Sequence, residues 1–183
     1  MLQKSSTFSV LEQFFNEPTK QHYLMELARA IPLAHTSVSR ILKELEKEKI
    51  INKKLQVKNS RTFPVYQANI NLEKYKQYKK IHNLQSIFES GLIQTIQSQV
   101  FSETTVLFGS YSRGEDTETS DIDIFIQGKE KNINTQKFEK LLHRKIQIHF
   151  AKNITKLPKE LQLNIINGIL LDGFLDLPLD KHS

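Results

Sequence analysis

Leu107-Phe108-Gly109-Ser110-Tyr111-Ser112-Arg113-Gly114, followed by Ser120-Asp121-Ile122-Asp123-Ile124-Phe125-Ile126, is the stretch whose reading decides the fold. Thr104-Thr105-Val106-Leu107-Phe108 is a short β-branched and apolar run that stops at Gly109, the pattern of a buried strand. Glycine lacks a Cβ, so backbone at Gly109 can approach a ligand closely. Ser110 adds a hydroxyl, and successive N–H groups in such a turn form a nest for phosphate oxygens. Arg113 stands near enough to add positive charge, or else is a solvated loop arginine. On the next strand Asp121 and Asp123 are two residues apart, so their side chains share one face while Ile122, Ile124 and Ile126 take the other. Paired carboxylates are hard oxygen ligands that suit Mg²⁺, which keeps waters and substrate phosphates as its remaining ligands. Two such ions about 3.5–4 Å apart activate an attacking hydroxyl and stabilise leaving pyrophosphate.

Gly-Ser at a strand end, followed by Ser-Asp-x-Asp on the next apolar strand, resembles the signature of the DNA polymerase beta superfamily of nucleotidyltransferases in its smallest form. In that family a third carboxylate sits on a later strand, matched here by Lys145-Ile146-Gln147-Ile148-His149-Phe150. Gln147 takes the matching place. An amide carries no charge and cannot accept a proton as a general base near neutral pH. His149, on the same face, is an alternative base or a groove histidine. Glu115, Asp116 and Glu118 lie in the preceding loop and stay open as carboxylates that swing in.

The chain has 183 residues, enough for one ordinary domain or two small ones, and a net charge of +6. It has no cysteine, which excludes disulfides and thiolate metal sites. No apolar run approaches the ~18 residues that span a bilayer. The start, Met1-Leu2-Gln3-Lys4-Ser5-Ser6-Thr7, lacks the apolar core of a signal peptide. A cytoplasmic protein without a membrane partner is expected. Residues 1–70 carry 11 Lys and Arg against 6 Asp and Glu, and residues 71–183 carry 15 against 14. Basic excess in one half points to a polyanion partner, against the plainer reading of a solvated basic surface.

The pattern of that half sharpens the expectation. Val10-Leu11 and Phe14-Phe15 are apolar at helical spacing before Glu17-Pro18. Thr19 is a candidate cap for a second helix carrying Tyr23, Leu24, Leu27 and Ala28, ended by Ile31-Pro32-Leu33. A third helix starts at His35 or Thr36 and buries Val38, Ile41, Leu42 and Leu45. Lys54–Val57, a polar tip from Lys58 through Asn59 to Thr62, and Phe63–Ala68 read as strand, turn, strand. Three helices and a hairpin resemble a winged helix-turn-helix domain. Such a third helix enters the major groove of duplex DNA, with His35, Thr36, Ser37, Ser39, Arg40 and Lys43 near base edges. Lys58 and Arg61 at the wing tip meet phosphate or the minor groove. One of Thr36 or Ser37 is expected only to cap the helix.

Leu72, Tyr75, Tyr78, Ile81, Leu84, Phe88, Leu92, Ile96 and Val100 form a helical stripe between the halves, with Gly91 as a break. Its first helix bridges the domains or pairs with its copy in a homodimer. In the tail, Pro158 opens a helix through Ile166, Asn167-Gly168 ends it, and Ile169–Leu175 reads as a buried strand with a turn.

The expected architecture is α+β / α/β. A winged helix-turn-helix domain (1–70) and linker helices (71–100) precede a small mixed-sheet, polymerase-beta-like minimal nucleotidyltransferase domain (101–183). The whole chain resembles small archaeal-type proteins that join these two parts. The resemblance implies Mg²⁺ and ATP or another NTP, bound at Gly109, Ser110 and Arg113, with Asp121 and Asp123 as catalytic residues and metal ligands. In related two-gene modules the minimal enzyme is an antitoxin that adds AMP to a hydroxyl of a toxin partner. Two function classes follow. One is a DNA-binding, transcription-regulator-like protein whose second domain binds Mg-NTP. The other is an active nucleotidyltransferase that modifies a protein or small-molecule hydroxyl.

Overall fold

The computed structural model describes residues 5–58, 60–100 and 102–175; Met1 to Lys4 of the chain start and Asn59 of the hairpin tip lie outside them. The chain divides into two units, Met1–His82 and Asn83–Ser183. No helix among the described residues is long and apolar enough to cross a membrane.

The first unit contains α1 (Ser6–Asn16), β1 (His22–Tyr23), α2 (Leu24–Ala30), α3 (His35–Lys47), β2 (Ile51–Lys58) and β3 (Arg61–Ala68). Ser5 caps α1 by accepting from the Phe8 N–H, which satisfies one of the donors a helix start leaves open. The helices close on a core that includes Val10, Phe14, Phe15, Leu27, Val38 and Leu42. The α3 residues expected to be buried, Val38, Ile41, Leu42 and Leu45, are buried. Three local expectations change. Thr19 does not cap α2; its carbonyl accepts from Gln67 Nε2. His22 and Tyr23 pair instead with Tyr66 and Val65, which makes a sheet of order β1-β3-β2. The cap position of α3 is Ala34, with no side-chain bond, so neither Thr36 nor Ser37 serves as its N-cap.

The boundary between the units falls within α4 (Glu73–Ser90). Its expected apolar stripe is not its buried side. Tyr75 of that stripe is buried, but Tyr78, Ile81 and Phe88 are 37%, 58% and 44% exposed, and Lys79, His82, Asn83 and Ile87 are buried instead. The polar members are held by specific partners. Lys79 donates to the Phe15 carbonyl at 2.7 Å, and the His82 ring lies 5.2 Å from that of Phe15. Asn83 donates to the Tyr111 carbonyl and to Asp116. Buried polar groups are tolerated when so paired.

The second unit continues with α5 (Leu92–Gln99), which starts after Gly91 in the left-handed region (φ 78°). Then come β4 (Thr104–Phe108), α6 (Gly109–Arg113), β5 (Ile122–Gln127), α7 (Gln136–Leu142) and β6 (Ile146–Ala151). A 3-10 turn (Ile154–Lys156), α8 (Lys159–Ile166) and β7 (Ile169–Gly173) complete it. The mixed sheet has order β6-β5-β4-β7, with β5 and β6 parallel and the other pairs antiparallel. One face packs Ile122, Ile124 and Ile126 with Leu92, Ile96 and Phe138. The other packs Val106, Phe108 and Phe125 with Ile154 and Ile165. Both faces of β5 are therefore covered beyond Asp123, which leaves the polar residues at the strand's start. β7 is half-buried rather than buried, with Leu170 49% exposed.

Candidate active site

The site lies where β4 ends and β5 begins. Phe108 pairs with Asp123 across the antiparallel ladder, and Gly109 leaves β4 with φ +74°. A methyl group at Gly109 would meet Asp123 Oδ2, so the carboxylate would have to turn to admit it. The turn is held from inside by Ser112, whose hydroxyl donates to the Gly109 carbonyl at 2.8 Å. Ser120 Oγ accepts from the Thr117 N–H at 2.9 Å and fixes the bend that delivers Asp121. The serine of Ser-Asp-x-Asp is thus a turn clamp.

The parallel pairing of β5 with β6 sets Asp123 beside Gln147 and Phe125 beside His149. Paired residues in parallel strands share a face, so Asp123, Gln147 and His149 meet on one side of the sheet. The Gln147 amide donates to Asp121 Oδ2. Gln147 therefore orients one carboxylate while adding no charge of its own. His149 Nε2 lies 3.6 Å from Asp123 Oδ1, and its ring stands 5.3 Å from that of Phe108. Burial pushes the Asp123 carboxyl above the ordinary carboxylate range; His149 opposes the shift, Asp121 adds to it and Arg113 also opposes it.

Other expected residues take different places. Ser110 is half-buried in the turn. Arg113 is exposed and donates to Glu115 at 2.8 Å, so in this state it salt-bridges a neighbour. Asp116 is buried, accepts from Asn83 at 2.7 Å and faces the buried Arg144 at 3.5 Å. It is a scaffold carboxylate and not one that swings into the site. Asn83, Asp116 and Arg144 together brace the loop from Tyr111 to Asp116 from below. Sequence reasoning missed this trio because its members are far apart in the chain.

Beside Asp121 and Gln147 opens a groove of about 700 Å³, lined also by Glu118, Lys140, His143 and Lys145. Elsewhere among the described residues, Glu17, His22 and Glu26 bring potential ligand atoms within 4.8 Å of one another. Lys20 already bridges Glu17 and Glu26 at 2.8 and 2.7 Å, so that cluster is charge-paired as it stands.

In the first unit, His35, Thr36, Arg40 and Lys43 of α3 are exposed, and Ser37 and Ser39 are half-buried. Lys58 and Arg61 are exposed and pair across the tip of the β2–β3 hairpin.

Residues 90–172 match the family model described as "Polymerase beta, Nucleotidyltransferase". The chain thus carries a polymerase-beta-type nucleotidyltransferase domain, the one that holds Gly109, Asp121 and Asp123. No curated protein matches the chain.

Proposed function

We propose that the second unit binds an NTP, ATP first among candidates, through a divalent ion, and that the first unit is a winged helix-turn-helix that binds duplex DNA. One observation carries the nucleotide reading: Gly109 leaves the strand at φ +74° directly beside the Asp123 carboxylate, which a Cβ there would displace. Such a gap beside a carboxylate suits a phosphate chain approaching backbone N–H groups. The donor set fits a divalent ion, because two half-buried carboxylates on adjacent positions of one face need a cation to be stable together. Asp121 and Asp123 hold Mg²⁺ in this reading. The ion's contribution is to neutralise phosphate charge. Gly109 and Ser110 seat the phosphates, and Arg113 exchanges Glu115 for a phosphate oxygen.

The DNA reading is supported by the basic bias of residues 1–70 and by the exposed Arg40, Lys43, Lys58 and Arg61. The whole is a regulator-like protein, placed in the cytoplasm, in which nucleotide occupancy is the regulated variable. A homodimer is compatible with the exposed Tyr78, Ile81 and Phe88 of α4.

A second reading, transfer of AMP to a hydroxyl, is favoured by the groove beside Asp121 and Gln147, which has room for an acceptor. The acceptor would be a small molecule or a protein partner of toxin type. Labelled ATP with Mg²⁺ separates the two readings. Under the first, the wild type retains label only non-covalently, and Gln147→Asp, which restores three carboxylates, gains covalent transfer. Robust covalent labelling by the wild type that Gln147→Asp slows would select the second.

A further inference from the structure

We infer that His149 is a direct nitrogen ligand of the metal site, so that this site is a mixed carboxylate–imidazole centre that takes Mn²⁺ in preference to Mg²⁺. The inference rests on the reading of Asp121 and Asp123 as metal ligands and adds a donor to it.

Three observations converge. First, His149 Nε2 is buried from solvent and makes no hydrogen bond of ordinary length; the polar atom it faces is Asp123 Oδ1. Buried polar atoms are rarely left without one, and an orphan calls for a missing ligand. Second, Nε2 is 3.6 Å from Asp123 Oδ1. That exceeds hydrogen-bonding distance. Cis donors on one octahedral ion, each about 2.0–2.2 Å from it, stand about 2.8–3.1 Å apart. The 3.6 Å gap is about half an ångström wider than that, a difference a small side-chain adjustment closes around a shared cation. Third, the ring is positioned from two sides, by the Phe108 ring at 5.3 Å and by the register that pairs His149 with Phe125. Both contacts hold the ring on the Asp123 side of the sheet.

Gln147 completes the logic. Its amide nitrogen donates to Asp121, which makes it a positioning residue for that carboxylate, and it brings no charge to the ion. The third donor comes from the next residue on the same face of β6. Replacing a carboxylate by an imidazole removes one negative charge and substitutes nitrogen for oxygen. Imidazole suits Zn, Cu, Fe and Ni, whereas Mg²⁺ and Mn²⁺ favour oxygen, with Mn²⁺ ranked in affinity beside the first-row metals that take nitrogen. Mn²⁺ accepts both donor types.

The test uses the full chain with Mn²⁺ alone, read by pulsed electron paramagnetic resonance, which detects a directly coordinated nitrogen. Nitrogen modulation is expected in the wild type and in His22→Gln, which controls for the Glu17–His22–Glu26 cluster. It is expected to vanish in His149→Gln and in His149→Phe, both checked for fold by circular dichroism. The two variants should also weaken Mn²⁺ binding more than Mg²⁺ binding in calorimetry. Mn²⁺ that is lost in Asp123→Asn yet shows no nitrogen modulation in the wild type overturns the inference and leaves the carboxylate site standing. Nitrogen modulation that disappears in His22→Gln and persists in His149→Gln overturns it too. Mn²⁺ binding that is absent, or indifferent to Asp123→Asn, overturns both the inference and the reading beneath it. The wild-type spectrum decides the first point without any variant.

Discussion

Gly109 concentrates the constraint of the site in one residue. It takes φ +74°, and a side chain there would strike Asp123. A non-glycine residue in the left-handed region costs about 1–3 kcal/mol, before any collision is counted. Gly109→Ala should therefore lower unfolding free energy by at least that range in urea titration. It should also abolish Mg-ATP binding by calorimetry, because Asp123 must move. A variant with unchanged stability and unchanged binding would show that the turn relaxes freely. The place of Gly109 at the end of β4 was legible in the sequence, since the β-branched and apolar run stops there. The role of Asp116 was not: as a loop carboxylate three residues from Arg113 it reads like a candidate ligand. Its partners Asn83 and Arg144 lie far before and far after it in the chain. No local pattern announces a buried ion pair that is assembled by tertiary structure.

At the scale of elements, α4 teaches the same lesson more sharply. Hydrophobic spacing put Tyr75, Tyr78, Ile81 and Phe88 on one stripe, yet of these four only Tyr75 is buried. The inner face runs through Lys79, His82 and Asn83, which hydrogen bonds and ring contacts satisfy. Asn83→Leu should cost about 1–3 kcal/mol or more, because the Tyr111 carbonyl and Asp116 lose a donor in a buried place. Ile81→Lys, on the exposed side, should stay within about 0.5 kcal/mol. Chemical denaturation of the two variants checks the contrast; a large loss for Ile81→Lys would mean that the exposed stripe is covered, as in a homodimer. By contrast, α3, the break at Gly91 and the pair β4–β5 were legible, because their apolar periodicity coincides with what they bury. β1 was hidden because two residues carry no periodicity at all.

For the whole molecule, charge is the quantity that links sequence to partner. The basic excess of residues 1–70 survives in the fold as exposed cations on α3 and on the hairpin tip. Binding of the full chain to duplex DNA should weaken steeply with added salt, since each neutralised phosphate releases counterions. Lys58→Ala and Arg61→Ala should each reduce the salt slope by about 1 and weaken all sequences alike. Arg40→Ala should cost about 1–3 kcal/mol at a specific site if it reads a guanine. Fluorescence anisotropy across a salt series makes the distinction. Absence of DNA affinity at low salt would move the first unit to protein interaction, a role open to the same fold.

The claim on which the account turns is that Asp121 and Asp123 bind a metal–nucleotide. Its most direct measurement is the Tm of the full chain with and without ATP and Mg²⁺. A ligand at 100 times its Kd stabilises the folded state by about 2.7 kcal/mol, so a clear upward shift is expected for the wild type. The double variant Asp121→Asn with Asp123→Asn keeps the shape of both side chains and should remain folded with no shift. A double variant that rises in Tm as far as the wild type would contradict the account, because the carboxylates would then play no part in holding the nucleotide.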